Sequence, residues 1–304
     1  MTKVGVVGVG HMGYFHAKVY SQMEGVKLVG VCDKNTELAA DVAEEFGTND
    51  FLSLKQLLEQ CDAVSIAVPP SKHHEVARKA LEAGCSILLE KPGCETTDQL
   101  KALYWIAKQE KLVLEIGFIE RFNPAVRTLL WAEPPMSYSS FRSRLHTPRT
   151  AGVDVVLDLM IHDIDLLLQL SGSRCRDLTA SGGAYYSDEL DFVYATLIMN
   201  SGLRANLIAS TLLPNPIQRT TLLYEDRAIM LDLNEFIRTT LYKEDRTTTQ
   251  SHEDPNTNKL EYELRAFIQE VELGTIAWLI QHQSTALELA LKISDAAKRG
   301  LNHG

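Results

Sequence analysis

Along the first 120 residues, short apolar runs alternate with amphipathic stretches of helical period. The apolar runs predict strands over 3–7, 27–32, 63–67, 86–89 and 113–117. The stretches between them predict helices over 12–22, 36–45, 54–59, 73–83 and 97–108. Continuous apolar strands separated by helices are buried on both faces, so this half predicts a doubly wound, parallel α/β sheet. The rhythm changes after Gly117. A helix is predicted from near Pro124, a strand over 138–145 and a helix from about 155 to 170. Alternating segments at 178–186, 192–200, 204–212, 220–223 and 228–233 then predict a large, mostly antiparallel sheet with one open face. Residues 243–258 are polar and predict an irregular excursion, and helices over 260–273 and 284–299 close the chain. The division is expected at residue 120, with an α+β domain over 121–304 and the active cleft between the two domains.

Composition narrows the function classes. With 45% apolar residues, a chain of 304 can bury two cores. Thirty basic against 40 acidic residues, net −10, argue against a general nucleic-acid or anionic-membrane surface. The five cysteines (Cys32, Cys61, Cys85, Cys94 and Cys175) are odd in number, scattered and never in a C-x-x-C pair. Neither a metal site nor a disulfide framework is expected, and a reducing cytoplasm fits best. The N-terminal residues read as a strand rather than a signal peptide. No apolar run approaches the roughly 18 residues needed to span a bilayer.

The first strand runs into Gly8-Val9-Gly10-His11-Met12-Gly13, and the second is closed by Asp33. A strand before, a helix after and an acid about 20 residues on are the context that dinucleotide binding needs. Gly8 allows the tight turn, Gly10 lets backbone approach a pyrophosphate, and Gly13 lets the helix pack closely. The helix amides, those of His11 and Met12 among them, receive the phosphates. Asp33 would accept from the ribose hydroxyls and repel a 2′-phosphate, which favours NAD over NADP. This half therefore predicts a Rossmann domain.

Three further places carry chemistry. Glu90-Lys91-Pro92 ends a strand at the expected cofactor crevice; a surface ion pair at a strand exit would look the same. Val68-Pro69-Pro70, followed by His73, reads as a stiff wall beside the nucleotide. In Asp158-Leu-Met-Ile-His162-Asp-Ile-Asp165, a helix would put Asp158 and His162 one turn apart on one face, with Asp165 on the same side. An acid beside an imidazole suits hydride chemistry on an alcohol, where one group must take the hydroxyl proton. A helix-terminal acid and a hydrogen-bonded histidine would give the same pattern. No metal site is expected.

Taken in order, the glycine loop to His16, Val68-Pro-Pro-x-x-His73, Glu90-Lys91-Pro92, Arg121-Phe122-x-Pro124 and Asp158-x-x-x-His162 resemble the glucose–fructose oxidoreductase / inositol dehydrogenase / MocA family. The resemblance implies a Rossmann domain followed by an open-faced sheet domain that often pairs into dimers or tetramers. It also implies oxidation of a secondary alcohol on a sugar or cyclitol. Lys91 would hydrogen-bond the reacting hydroxyl and the nicotinamide ribose, His162 would accept the proton, and Asp158 would hold substrate or orient the histidine. Pro69, His73, Glu90 and Lys91 would line the cofactor.

Residues 117–125 and 158–165 resemble the branch that oxidises the 3-hydroxyl of UDP-N-acetylglucosamine, whose ketone an aminotransferase can consume. A sugar nucleotide needs cations for its diphosphate, and a guanidinium fork suits phosphate. Arg121 with Asn123, and Arg149 in the basic stretch Arg142, Arg144, His146 and Arg149, are the substrate-binding candidates. The same stretch could be the wet face of a strand. A free-sugar or inositol dehydrogenase, and a non-catalytic dinucleotide sensor on the same fold, are the competing functions. Retention of Lys91, Asp158 and His162 together argues against the sensor.

Overall fold

The parallel sheet predicted for the N-terminal half forms, with one strand more than the hydrophobic pattern reveals. The computed structural model describes residues 1–147, 152–186, 188–243, 246–251, 258–274 and 280–301. The chain divides into two units, Met1–Phe118 with Leu260–Ser284, and Ile119–Lys259 with Thr285–Gly304. Residues 260–284 thus join the first unit rather than the second.

In the first unit, strands β1 (Thr2–Val7), β2 (Val26–Cys32), β3 (Asn49–Asp50), β4 (Ala63–Ile66), β5 (Ser86–Glu90) and β6 (Leu114–Gly117) lie in the order β3-β2-β1-β4-β5-β6. All their pairings are parallel. Val4, Val6, Val31, Val64, Ile66, Ile87 and Leu89 lose all contact with solvent, as strands covered on both faces require. The extra strand, β3, is two exposed polar residues, so it leaves no apolar trace. Helices α1 (His11–Gln22), α2 (Thr36–Phe46), α3 (Leu54–Leu58), α4 (Pro70–Glu82) and α5 (Thr97–Glu110) make the connections. The strand order reverses between β1 and β4, and ligands of open α/β sheets bind beyond the carboxyl ends at such a point. Helix α7 (Lys259–Leu273) buries Leu264 and Phe267, and the Thr2 hydroxyl donates to Glu272 at 2.8 Å.

The second unit is built on eight strands: β7 (Ser137–Leu145), β8 (Cys175–Gly183), β9 (Phe192–Met199), β10 (Arg204–Ser210), β11 (Leu212–Leu223), β12 (Arg227–Asp232), β13 (Ile237–Tyr242) and β14 (Thr247–Ser251). Their order is β14-β13-β12-β11-β7-β10-β9-β8. Among the described residues only β7 and β10 of this sheet pair in parallel. On the inner face Tyr138, Leu197, Leu207 and Leu222 are fully buried, and helix α6 (Ile161–Ser171) packs on β10. Helix α8 (Ile280–Leu301) follows α7.

Several elements differ from their sequence-based prediction. No α-helix starts at Pro124; short 3₁₀ turns, Ile119–Phe122 and Leu129–Trp131, stand there instead. Asn123 is the reason. Its Oδ1 accepts from the Ala125 amide at 3.1 Å and its carbonyl accepts from the amides of Val126 and Arg127, a local turn that competes with helix. The helix expected from residue 155 begins as a π turn, Val156–Met160, before α6. Strand β8 stops at Gly183, short of Tyr185 and Tyr186. The polar excursion expected over 243–258 is in part a hairpin of β13 and β14, and every residue of β14 is exposed. Strand β11 starts well before Thr220, hidden by Pro214 and Pro216, where its register with β7 shifts.

A buried charge cluster ties this unit together. Arg142 forks onto Asp163, with Nε–Oδ2 and NH2–Oδ1 both 3.0 Å, and its NH1 lies 3.5 Å from Glu120. Lys259 donates to Glu120 at 2.9 Å and Asn123 does so at 3.0 Å. Two cations thus face two anions. Burial opposes the charge of Glu120, yet Lys259 and Arg142 hold its carboxyl below the usual range. A group depressed in the folded state stabilises above its unfolded pKa and loses that contribution as pH falls through the folded value. Glu120→Gln is therefore expected to cost about 3–5 kcal/mol at neutral pH, the penalty for breaking a buried pair. Denaturant titration across pH should show the gap to the parent narrowing in acid. A gap independent of pH would show that the carboxylate charge is not what stabilises.

Candidate active site

Backbone shape dominates the glycine loop. Gly8 has φ +85°, and a Cβ there would sit 2.8 Å from the Ala67 carbonyl carbon. A Cβ at Gly13 would fall 1.8 Å from the Gly8 oxygen, so only glycine lets α1 start so close to the loop. At Gly10 a Cβ would meet nothing within 4 Å: this side of the loop is open. Gly10 is also the N-cap of α1, without a side chain to satisfy the first amides. His11, Met12 and Gly13 bring no acid to the first turn, so their N–H groups and the helix dipole remain available to an anion.

Asp33 follows β2 and is bound to the same loop. Its Oδ2 accepts from the Val9 amide at 2.8 Å and its Oδ1 from the Asn35 amide at 2.9 Å. Each carboxylate oxygen keeps a lone pair for a ribose hydroxyl. An open cradle, uncapped helix amides and an anchored acid fit the two ends of NAD's adenosine pyrophosphate.

Pro69 is exposed beside Val68, but His73 is not at the surface. Its Nδ1 lies 3.1 Å from the Gly93 carbonyl oxygen and its Nε2 2.9 Å from that of Val68. Burial pushes the imidazole below its ordinary range, against these two contacts. The sequence predicts a cofactor contact here; the ring is fully buried and staples the proline loop to the turn after Lys91. Glu90 likewise turns inward. Its Oε1 lies 3.2 Å from Nε2 of the buried His16 and would meet a Cβ at Gly117 at the same distance. Lys91, half-buried, stands at the carboxyl end of β5, and its bond to Pro92 is cis.

In the second unit, His162 is the second residue of α6 and is half-exposed. Asp158 is half-exposed in the preceding π turn, a form frequent at functional sites. Arg144 forms a short ion pair with Asp158. Arg121 forks onto the fully buried Asp165, with Nε–Oδ2 2.7 Å and NH2–Oδ1 2.5 Å. These contacts alter the substrate-binding expectation. Nε and NH2 of Arg121 are thus engaged by a fully buried carboxylate. Asn123 is fully buried, its amide donating to Glu120 and to the Leu233 carbonyl. Both residues brace the unit from within. Arg149 lies outside the described residues. The Arg142–Asp163 pair was not legible beforehand, because an alternating strand gives no sign of which face its arginines take.

Burial pushes the thiols of Cys61 and Cys94 up to about 12, which leaves them protonated and unreactive. Among the described residues, no group of three or more His, Cys, Asp and Glu is arranged to hold a metal ion. No helix of the described residues is long and apolar enough to cross a membrane.

Residues 2–118 match the family described as "Oxidoreductase family, NAD-binding Rossmann fold", and residues 125–229 match the GFO/IDH/MocA C-terminal domain. The chain is 40% identical over 242 residues to the UDP-N-acetylglucosamine 3-dehydrogenase of Acidithiobacillus ferrooxidans, a match covering 79% of this chain and 76% of that one. The crystal form of that enzyme superposes with TM-score 0.94 and 34% identity over 99% of both chains. The scyllo-inositol 2-dehydrogenase (NAD(+)) of Bacillus subtilis is 31% identical over 191 residues, 58% of this chain and 56% of that one. The cofactor is NAD, held by the first unit's Rossmann domain. Asp33→Ala is expected to weaken NAD about tenfold, the value of hydrogen bonds to a charged group, and to narrow the preference over NADP. Fluorescence titration with both nucleotides checks this; an unchanged ratio would remove Asp33 from ribose recognition.

Proposed function

Because the chain belongs to the GFO/IDH/MocA oxidoreductase family, we propose that it oxidises the 3-hydroxyl of UDP-N-acetylglucosamine to the ketone, with NAD as acceptor. The observation that carries this reading is likeness over the whole chain to an enzyme of that activity, at TM-score 0.94, with Lys91, Asp158 and His162 all present. When bound, NAD supplies the hydride acceptor. His162 takes the proton from the reacting hydroxyl, since imidazole exchanges protons near neutral pH. Asp158, fixed by Arg144, orients that ring or holds a substrate hydroxyl. Lys91, by its place in the motif, hydrogen-bonds the hydroxyl that reacts.

A second reading, a free-sugar or inositol dehydrogenase, is favoured by one observation. Arg121, Arg142 and Arg144 all face aspartates rather than an open phosphate site. The 3-keto product is the kind of carbonyl an aminotransferase consumes. The reading assigns the reaction to the cytoplasm, where five free thiols suit a reducing setting. It also assigns a homo-oligomer: Tyr194, Leu223, Met230 and Leu241 are exposed on strands of the eight-stranded sheet, and a second copy would cover them.

NADH absorbance with NAD and a panel of UDP-sugars, hexoses and inositols, with a carbonyl trap, tests the substrate. UDP-N-acetylglucosamine alone should give NADH; growth only with free polyols would establish the second reading. His162→Ala should lower turnover by roughly 10²–10⁴-fold with NADH binding retained, as loss of a general base requires. Full turnover would remove His162 from proton transfer. Met230→Glu should lower the mass in light scattering towards that of one chain, and an unchanged mass would reject the sheet as the interface.

A further inference from the structure

The loop after β8 carries two tyrosines that the reaction above does not use. Asp191 accepts from the amides of Tyr185 and Tyr186, each at 2.8 Å, and from the Thr211 hydroxyl at 3.0 Å. Burial opposes the charge of Asp191, yet these donors and His146 hold its carboxyl below the usual range, so the pin stays ionised at neutral pH. The Tyr185 ring rests against Gly183, where a Cβ would come within 2.6 Å of it. Tyr186 stacks on His146, with centroids 4.4 Å apart and planes tilted by 30°. His146 Nδ1 makes no hydrogen bond and lies 3.8 Å from Asp191. Even so, Tyr185 is 68% exposed and Tyr186 56%. Exposed rings with fixed backbones have already met much of the ordering cost of binding a planar ligand.

Their place in the second unit matters as much as their rigidity. Arg142 and Arg144, alternate residues of β7, reach Asp163 and Asp158 on either side of His162 in sequence. His146 continues that face, its amide donating to the Thr211 carbonyl at 2.9 Å. At about 3.3 Å per residue, His146 stands about 13 Å along the strand from Arg142. The Val155 amide donates to the Leu190 carbonyl at 2.9 Å, which ties the tyrosine loop to the start of the Asp158 turn. In a sugar nucleotide, the base is held away from the hexose by a ribose and a diphosphate, and a strand-length offset of this kind matches it.

We propose that Tyr185 and Tyr186, backed by His146, form a stacking platform for the pyrimidine base of the nucleotide substrate. The proposal rests on the sugar-nucleotide reading above. It also explains how such a substrate is recognised although Arg121, Arg142 and Arg144 face carboxylates. Calorimetric titration with uridine 5′-monophosphate, which carries no hexose, tests the platform without turnover. The parent protein should bind it, Tyr186→Ala should weaken it about tenfold, as expected for loss of one base–aromatic stack, and Tyr186→Phe should restore it. The KM for UDP-N-acetylglucosamine should rise by the same factor in Tyr186→Ala with kcat retained. No uridine monophosphate binding by the parent, or equal affinity in a Tyr185→Ala/Tyr186→Ala variant of unchanged melting temperature, overturns the platform and leaves the dehydrogenase reading standing. Tyrosine-dependent uridine monophosphate binding without oxidation of the UDP-sugar supports the platform and overturns the substrate assignment.

Discussion

Pairing of buried charge governs the helix that bears His162. Between Asp158 and Asp165 the chain places three acids around one imidazole, and two of them, Asp163 and Asp165, are buried. Removing a carboxylate from water costs several kcal/mol unless a well-placed partner and further hydrogen bonds offset it. Arg142 and Arg121 offset part of it with bidentate forks, though burial still pushes the Asp163 carboxyl up, and Arg144 pairs the more exposed Asp158. Since each fork fixes direction as well as distance, the roll of α6 and the aim of His162 follow from electrostatics as much as from packing. Glu120 and Lys259 extend the arrangement to two of the three places where the chain passes out of this unit, near residues 118 and 260.

The first unit works by exclusion of side chains. At Gly8 and Gly13 an added carbon would collide with backbone, whereas at Gly10 it would occupy open space that a pyrophosphate needs. The acid after β2, Asp33, is bonded to the glycine loop through Val9, so loop and acid are positioned together. His73 and Glu90 support this arrangement from beneath. One joins the proline loop to the turn after Lys91, and the other faces His16 on α1.

These commitments bear on how a sugar nucleotide can be recognised. A guanidinium forked onto a buried aspartate, as Arg121 and Arg142 are, has its bidentate face engaged within the unit. The proposed stacking on Tyr185 and Tyr186 would add recognition without burying more charge, on backbones that Asp191 already pins.

Periodicity determined the run of buried parallel strands, and motif spacing the glycine turn and the acid after β2, because each depends on sequence signals along the chain itself. Tertiary structure decided the rest. Strands β3 and β14 have exposed polar residues and exist only because a partner strand supplies their hydrogen bonds. The helix expected at Pro124 yielded to the side chain of Asn123, which also bonds to Leu233, 110 positions away. Arginines 121, 142 and 144 carry the same charge in any reading of the chain. Whether they meet phosphate or aspartate depends on which carboxylates the fold buries beside them, and no local pattern records that.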